Sequence, residues 1–296
     1  MKRKQIIVGL LLSLLMTGCD ISISIGNIVI SNDIQTSTSS IFNSSTLPTV
    51  SSVPTTTVAP TTTATPTTTA KPTSTVASTI IAQNRTVKDE EIIANFKNGD
   101  TSTFKKSTWS NDYPFNCRWS ADNIKFSNGA MKLSLNKKSS TYYGSEYASI
   151  NTFSFGYFAT NMKPISCPGV ISSFFIYTGD PWDEIDIEFL GKDTTKVQFN
   201  YFTNGVGNHE CIYDLGFDAS KEFHEYGFEW KEDSIIWFVD GIAVYKATKD
   251  IPQTPAKIMM NVWNVHEDYA SWAGKFTGEN LPVTAEYKFV AYGKNS

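Results

Sequence analysis

Polar and apolar letters alternate without a break from residue 184 to residue 189. Glu184, Asp186 and Glu188 take every second position, and Ile185, Ile187 and Phe189 take the positions between. A β-strand has a side-chain period of two, so this run predicts a strand with three carboxyls on one face and three large apolar groups on the other. A helix would scatter both sets. The same period recurs elsewhere. Residues 124–126 and 131–135 flank Ser127-Asn128-Gly129, and residues 235–239 and 242–245 flank Asp240-Gly241; both arrangements predict hairpins. Further strands are expected at 155–162, 197–202 and 257–263, and no stretch carries the pattern of a long amphipathic helix. Many short strands with turns between them predict an all-β fold, an antiparallel β-sandwich of the jelly-roll kind, whose curved face can serve as a concave cleft.

Composition divides the 296 residues into three parts. Residues 1–19 begin with Met1-Lys2-Arg3-Lys4 and continue in an apolar run, 6–16, too short to span a membrane, which reads as a secretory signal. Met16-Thr17-Gly18-Cys19 resembles a bacterial lipoprotein processing site, at which Cys19 would carry lipid; ordinary cleavage near Gly18 is the alternative. Residues 20–86 are dominated by Ser, Thr and Pro, with too little apolar surface to offset chain entropy, so they predict an extended linker. Sequons stand at Asn43 and Asn84. Residues 87–296 carry all seven Trp and are long enough to bury one core. The expectation is an exported, monomeric protein, in the medium or on the outer surface, that meets a membrane only through a lipid at Cys19.

A net charge of −4, with no basic run after the leader, argues against nucleic acid as partner and favours a neutral polymer. The four cysteines, Cys19, Cys117, Cys167 and Cys211, form no C-x-x-C pair, and His209, His224 and His266 lack metal-ligand spacing. Each histidine is expected at the surface or in packing.

The acidic row is where chemistry is expected. Like charges on neighbouring positions weaken a sheet, so three in a row contribute nothing to stability. Two carboxyls on one surface suit glycosidic bond cleavage, one as acid and the other as nucleophile or base. Four residues of strand put the Cα atoms of Glu184 and Glu188 roughly 13 Å apart. Two side chains leaning toward each other then leave about the 5 Å of a retaining enzyme. Asp186 stands between them, placed to hydrogen-bond one and hold their pKa values apart. The competing readings are an exposed acidic face or a calcium-binding edge. Trp109, Tyr177, Trp182, Trp263 and Trp272 lie near turns or strand ends, where rings could stack on sugar faces; core packing is the alternative for any one of them.

With these motifs in place, the chain resembles lichenases, the endo-1,3-1,4-β-glucanases of glycoside hydrolase family 16. The likeness runs through Val170-Ile171-Ser172-Ser173-Phe174-Phe175, Trp182 to Gly191 and Lys192 to Tyr201, and extends to Phe115-Asn116-Cys117-Arg118-Trp119, Asp214 to Asp218 and Lys257-Ile258-Met259-Met260-Asn261. The resemblance implies a retaining β-glucanase acting on mixed-linkage glucan, with Glu184 as nucleophile, Glu188 as acid/base and Asp186 assisting. It implies substrate contacts at Asn111, Glu146, Phe175, Tyr177, Trp182, Asn200, Trp263 and Trp272, and no required cofactor. A glucan transglycosylase of the same fold and a non-catalytic glucan-binding surface protein are the alternatives. Several positions depart from the family pattern. Ala148 stands where an Arg is usual, and Phe202 where a Tyr is. Gly144 replaces the usual disulfide partner of Cys117. Lys288 replaces an Asp of the structural calcium site that many members carry.

Overall fold

The computed structural model describes residues 83–295. The expected signal, the lipidation site at Cys19 and nearly all of the Ser/Thr/Pro segment lie outside the described residues. Sixteen strands follow in chain order: β1 Ile92–Asn95, β2 Phe104–Lys106, β3 Arg118–Trp119, β4 Ile124–Ser127, β5 Ala130–Lys138, β6 Thr141–Ser149, β7 Gly156–Lys163, β8 Val170–Tyr177, β9 Glu184–Leu190, β10 Lys196–Phe202, β11 Cys211–Asp214, β12 His224–Trp230, β13 Ile235–Val239, β14 Ile242–Ala247, β15 Lys257–Asn264 and β16 Val283–Lys294. The one α-helix among the described residues is a single turn, Ala270–Ala273.

Twelve strands form one hydrogen-bonded path, β11-β10-β9-β8-β15-β6-β5-β16-β7-β12-β13-β14. The path folds over on itself, so that β11 through β6 make one layer and β5 through β14 the other, as the jelly-roll expectation requires. Between them lies a core in which Phe174 meets Phe228 (6.1 Å between ring centroids), Phe189 meets Tyr226 (4.9 Å) and Phe199 meets Trp237 (5.6 Å). Two hydrogen bonds tie the layers at the backbone: Trp237 Nε1 donates to the Asp186 carbonyl (3.1 Å), and the Tyr287 hydroxyl donates to the Ser173 carbonyl (3.0 Å). Both donors are buried, so an unmade bond would be costly, and both support strands that form the opposite, open face.

The predicted hairpins form for the predicted reason. Asn128 and Gly129 (φ 55° and 77°) and Asp240 and Gly241 (φ 48° and 77°) take the left-handed conformations of a two-residue turn that suits the twist of the flanking strands. The long last strand, β16, has no continuous period in its letters. A bulge at Lys288 shifts the register between Tyr287 and Phe289, so core positions pass from Ala285 and Tyr287 to Val290. Backbone pairing already begins at Gln83, ahead of the compositional change at Val87. The Arg85 N–H donates to the Gly241 carbonyl (2.8 Å), and Asn84 bridges Ile242 on the edge strand β14.

Candidate active site

Strand β9 carries its letters as the alternation predicts. Ile185, Ile187 and Phe189 are fully buried in the core, and Glu184, Asp186 and Glu188 face the other way. Antiparallel pairing with β8 and β10, and of β15 with β8 and β6, then lines up transverse rows on that open face, because directly paired residues point to the same side. One row reads Gln198, Glu188, Ser173, Asn261, Glu146. The next reads Asn200, Asp186, Phe175, Met259, Ala148, and the third Phe202, Glu184, Tyr177, Lys257. Residues scattered over more than a hundred positions thereby become neighbours.

The three carboxyls have unlike partners. Trp182 Nε1 donates to Glu184 Oε2, and Asp186 also donates to the Glu184 carboxylate. Glu188 receives one donor, Gln198 Nε2 at 2.9 Å, and Gln198 Oε1 is itself held by Trp272 Nε1 at 3.0 Å. Burial pushes the Glu184 carboxyl up to about 7, a rise that the Trp182 and Asp186 hydrogen bonds moderate. Burial and the Glu184 charge push Glu188 up to about 8, against the single Gln198 bond. Asp186, buried between two carboxylates, is held well above the usual range and keeps its proton.

A fourth carboxyl closes the row. Glu146 is 2% exposed, and burial pushes it up to about 7 although Ser107 Oγ (2.7 Å) and the Asn261 side chain donate to it. Asn261 Oδ1 accepts from Ser173 Oγ, so Ser107, Glu146, Asn261 and Ser173 form a chain that ends beside Glu188.

Apolar groups floor the cleft on either side of these rows. Ile171, Leu190 and Trp263 form one patch, with Phe115, Trp119, Tyr269 and Trp272 packed on it; Phe115 and Trp263 centroids lie 4.1 Å apart. Ala148, Phe175 and Met259, with Tyr177 against them, form the other. The expected contacts Glu146, Phe175, Tyr177, Trp182, Asn200, Trp263 and Trp272 therefore share one face. Trp272 reaches it from the one-turn helix rather than from a strand end. Asn111 makes no side-chain bond to the rows and lies half-buried in the segment before β3.

At the departures from the family pattern, Ala148 packs on Phe175 and Met259, and Phe202 stacks on Trp182 (4.6 Å, 19° between planes), steadying the indole that holds Glu184. Cys117 and Cys167 are free thiols. A Cβ built on Gly144 would lie 2.8 Å from Cys117 Sγ and 2.4 Å from the Val262 carbonyl oxygen, so the strands close over the missing side chain. The Lys288 ammonium sits over the Phe223 ring at 4.1 Å, and a cation there does not fit the carboxylate role of a calcium ligand. His209 stacks on Tyr201 and His224 on Phe217, each at 3.9 Å, which makes them packing residues.

The periodicity of the acidic run does not point to Asp183. It is 3% exposed, and its two oxygens accept the backbone N–H groups of Asn204 (2.8 Å), Thr254 (3.0 Å) and Gln253 (3.1 Å). Burial raises its pKa, and these three donors outweigh burial and hold it below the ordinary value. Asp183 thus pins the turn that presents Trp182 to two other loops. Its one signal in the sequence is an acidic residue out of phase with the alternation.

Comparison with known proteins agrees with this fold. Residues 111–281 match the family model described as "Glycosyl hydrolases family 16". A β-glucanase of Acetivibrio thermocellus is 48% identical over 222 residues, which cover 72% of this chain and 66% of that protein, so the match spans just under two thirds of the relative's length. The solved structure of a Bacillus licheniformis β-glucanase superposes with a TM-score of 0.67 at 46% identity, covering 70% of this chain and 100% of that one. That of a prokaryotic β-1,3-1,4-glucanase (lichenase) from a mouse hindgut metagenome superposes at 0.65 with 48% identity, covering 68% and 97%. The chain belongs to family 16 of the glycosyl hydrolases.

Proposed function

We propose that this protein is a retaining endo-β-glucanase that hydrolyses mixed-linkage β-1,3-1,4-glucan. The observation that carries the reading is the inequality of Glu184 and Glu188. They stand four residues apart on one face, and Glu184 has two donors that favour its carboxylate while Glu188 has one. In the first step the Glu188 proton passes to the glycosidic oxygen, the C1–O bond breaks, and the Glu184 carboxylate forms a bond to C1. In the second, Glu188, now a carboxylate, takes a proton from water; the water oxygen bonds to C1 and releases Glu184. Asp186 keeps its own proton and donates to Glu184, stabilising the carboxylate as nucleophile and again as leaving group. No metal or organic cofactor has a role in this sequence of steps. The flat rings of Trp263, Trp272, Phe175 and Tyr177 offer stacking surfaces to the glucan on both sides of the row. Preference for the mixed linkage is supported by similarity to the hindgut β-1,3-1,4-glucanase.

Lichenan or barley glucan incubated with the protein should release reducing ends; release no greater than that of a Glu184→Gln control would sink the proposal. Glu184→Ala with azide should give an α-glycosyl azide, whereas a β product would reverse the two roles. The rate should follow a bell in pH. Its acid limb falls as Glu184 takes up a proton, and its alkaline limb falls as Glu188 loses one.

A further inference from the structure

We infer that Trp272 is a positioning residue: its indole N–H fixes which end of the Gln198 amide faces Glu188, and so sets how readily Glu188 gives up its proton. This rests on the reading of Glu188 as the acid/base. Trp272 Nε1 donates to Gln198 Oε1 (3.0 Å), and Gln198 Nε2 donates to Glu188 Oε2 (2.9 Å). Gln198 is 2% exposed, so neither end of its amide can turn to water. The oxygen and nitrogen ends of an amide have nearly the same shape, and packing alone does not choose between its two orientations. An indole N–H can only donate. It therefore holds the amide oxygen and leaves the NH2 to Glu188.

The two orientations have opposite consequences for the acid/base. With the NH2 toward it, the Glu188 carboxylate gains a donor, which favours the charged form left behind when the proton passes to the glycosidic oxygen. Reversed, the amide oxygen would accept from the protonated acid and repel the carboxylate, and the Trp272 N–H would face an NH2. Gln198 is the one donor Glu188 receives among the described residues. The charged groups around it are acidic: Glu184 and Asp186 on its own strand, Glu210 ahead of β11, and Glu146 at the end of the row. From β8 and β15 come the uncharged Ser173 and Asn261. The turn that carries Trp272 is itself held, since the Lys192 ammonium donates to the Ser271 carbonyl (3.1 Å) and the indole packs on Trp263 and Tyr269 (6.2 and 6.3 Å between centroids).

Replacing Trp272 by 3-benzothienylalanine puts sulfur in place of the N–H on a ring of the same size, and Trp272→Phe is its genetic counterpart. In both, the alkaline limb of kcat/KM on barley glucan should move up by about half a pH unit to one, the worth of a single hydrogen bond to a charged group. The rate should fall about three- to tenfold with KM changed less than twofold, because an aromatic ring remains. Gln198→Ala should move the limb in the same direction, and adding either Trp272 substitution should move it no further, since the indole acts through the amide. An unmoved limb in the benzothienylalanine protein, or a second shift of equal size in the Gln198→Ala background, overturns the inference. A raised KM with the limb unmoved would also overturn it, leaving Trp272 a stacking surface alone. Absence of any glucan cleavage by the unsubstituted protein would overturn the reading of the acidic row instead, so the two failures are distinguishable.

Discussion

The two faces of β9 are built from the same seven residues and do opposite work. On the inner face Ile185, Ile187 and Phe189 are fully buried against the second layer. On the cleft face three carboxyls crowd together, and burial raises the pKa of each. The inner face supplies the hydrophobic burial that holds the strand in place, and the outer face destabilises it, as the proposed roles of Glu188 as proton donor and Glu184 as nucleophile require. A sheet can do both because its pleat separates alternate side chains completely, so a strongly stabilised strand can present an electrostatically unfavourable surface without yielding.

Substitutions on the two faces should separate activity from stability. The largest effect is expected for Glu184→Gln, which should lower kcat by about 10⁴-fold or more while leaving the melting temperature unchanged or raised, as steady-state kinetics and calorimetry will check. If this variant unfolds, the contrast between the faces fails. Phe189→Ala should do the reverse. It should cost about 3–5 kcal/mol in denaturant unfolding and leave the rate per folded molecule near that of the parent at low temperature. Asp183→Asn removes the charge that gathers three backbone donors and should cost about 2–3 kcal/mol, with lower kcat as the Trp182 turn loosens.

Stability should also depend on pH in a way that reports the cleft. Glu146 and Glu188 titrate at about 7 and about 8 when folded, against about 4.3 in an unfolded chain. Between those values the folded protein binds more protons. The contribution of these groups is therefore fully present below the unfolded value and is lost as pH rises through 7 to 8. Melting temperature should fall from mildly acid to alkaline pH, and Glu146→Gln should flatten the curve; a parent curve that rises over this range would contradict the burial of these carboxyls. The smallest effect is expected for Tyr287→Phe, which deletes only the hydroxyl bond to the Ser173 carbonyl and should cost about 1 kcal/mol with little change in kcat.

Much of the candidate site is legible in the letters. Glu184, Asp186 and Glu188 announce themselves because a period of two is a local property, and the Asn128-Gly129 and Asp240-Gly241 hairpins do so because turn conformation is set by two residues. Gln198, Ser173, Asn261 and Ser107 are ordinary polar residues in their own neighbourhoods. They matter only because register sets them beside Glu188 and Glu146. Asp183 is hidden for a related reason, since its partners lie 21, 70 and 71 positions away.

By itself the sequence determined which face of β9 is core and which carries carboxyls, where the tight turns fall, and that the fold is a sandwich of antiparallel strands. Those properties follow from side-chain period, turn conformation and hydrophobic burial, all set by near neighbours along the chain. Only the tertiary structure decided which donor each carboxyl receives. It also decided that Glu146 ends the same row. Pairing register and layer packing are non-local, and the electrostatics of a buried charge depend on every group the fold brings within a few ångströms of it.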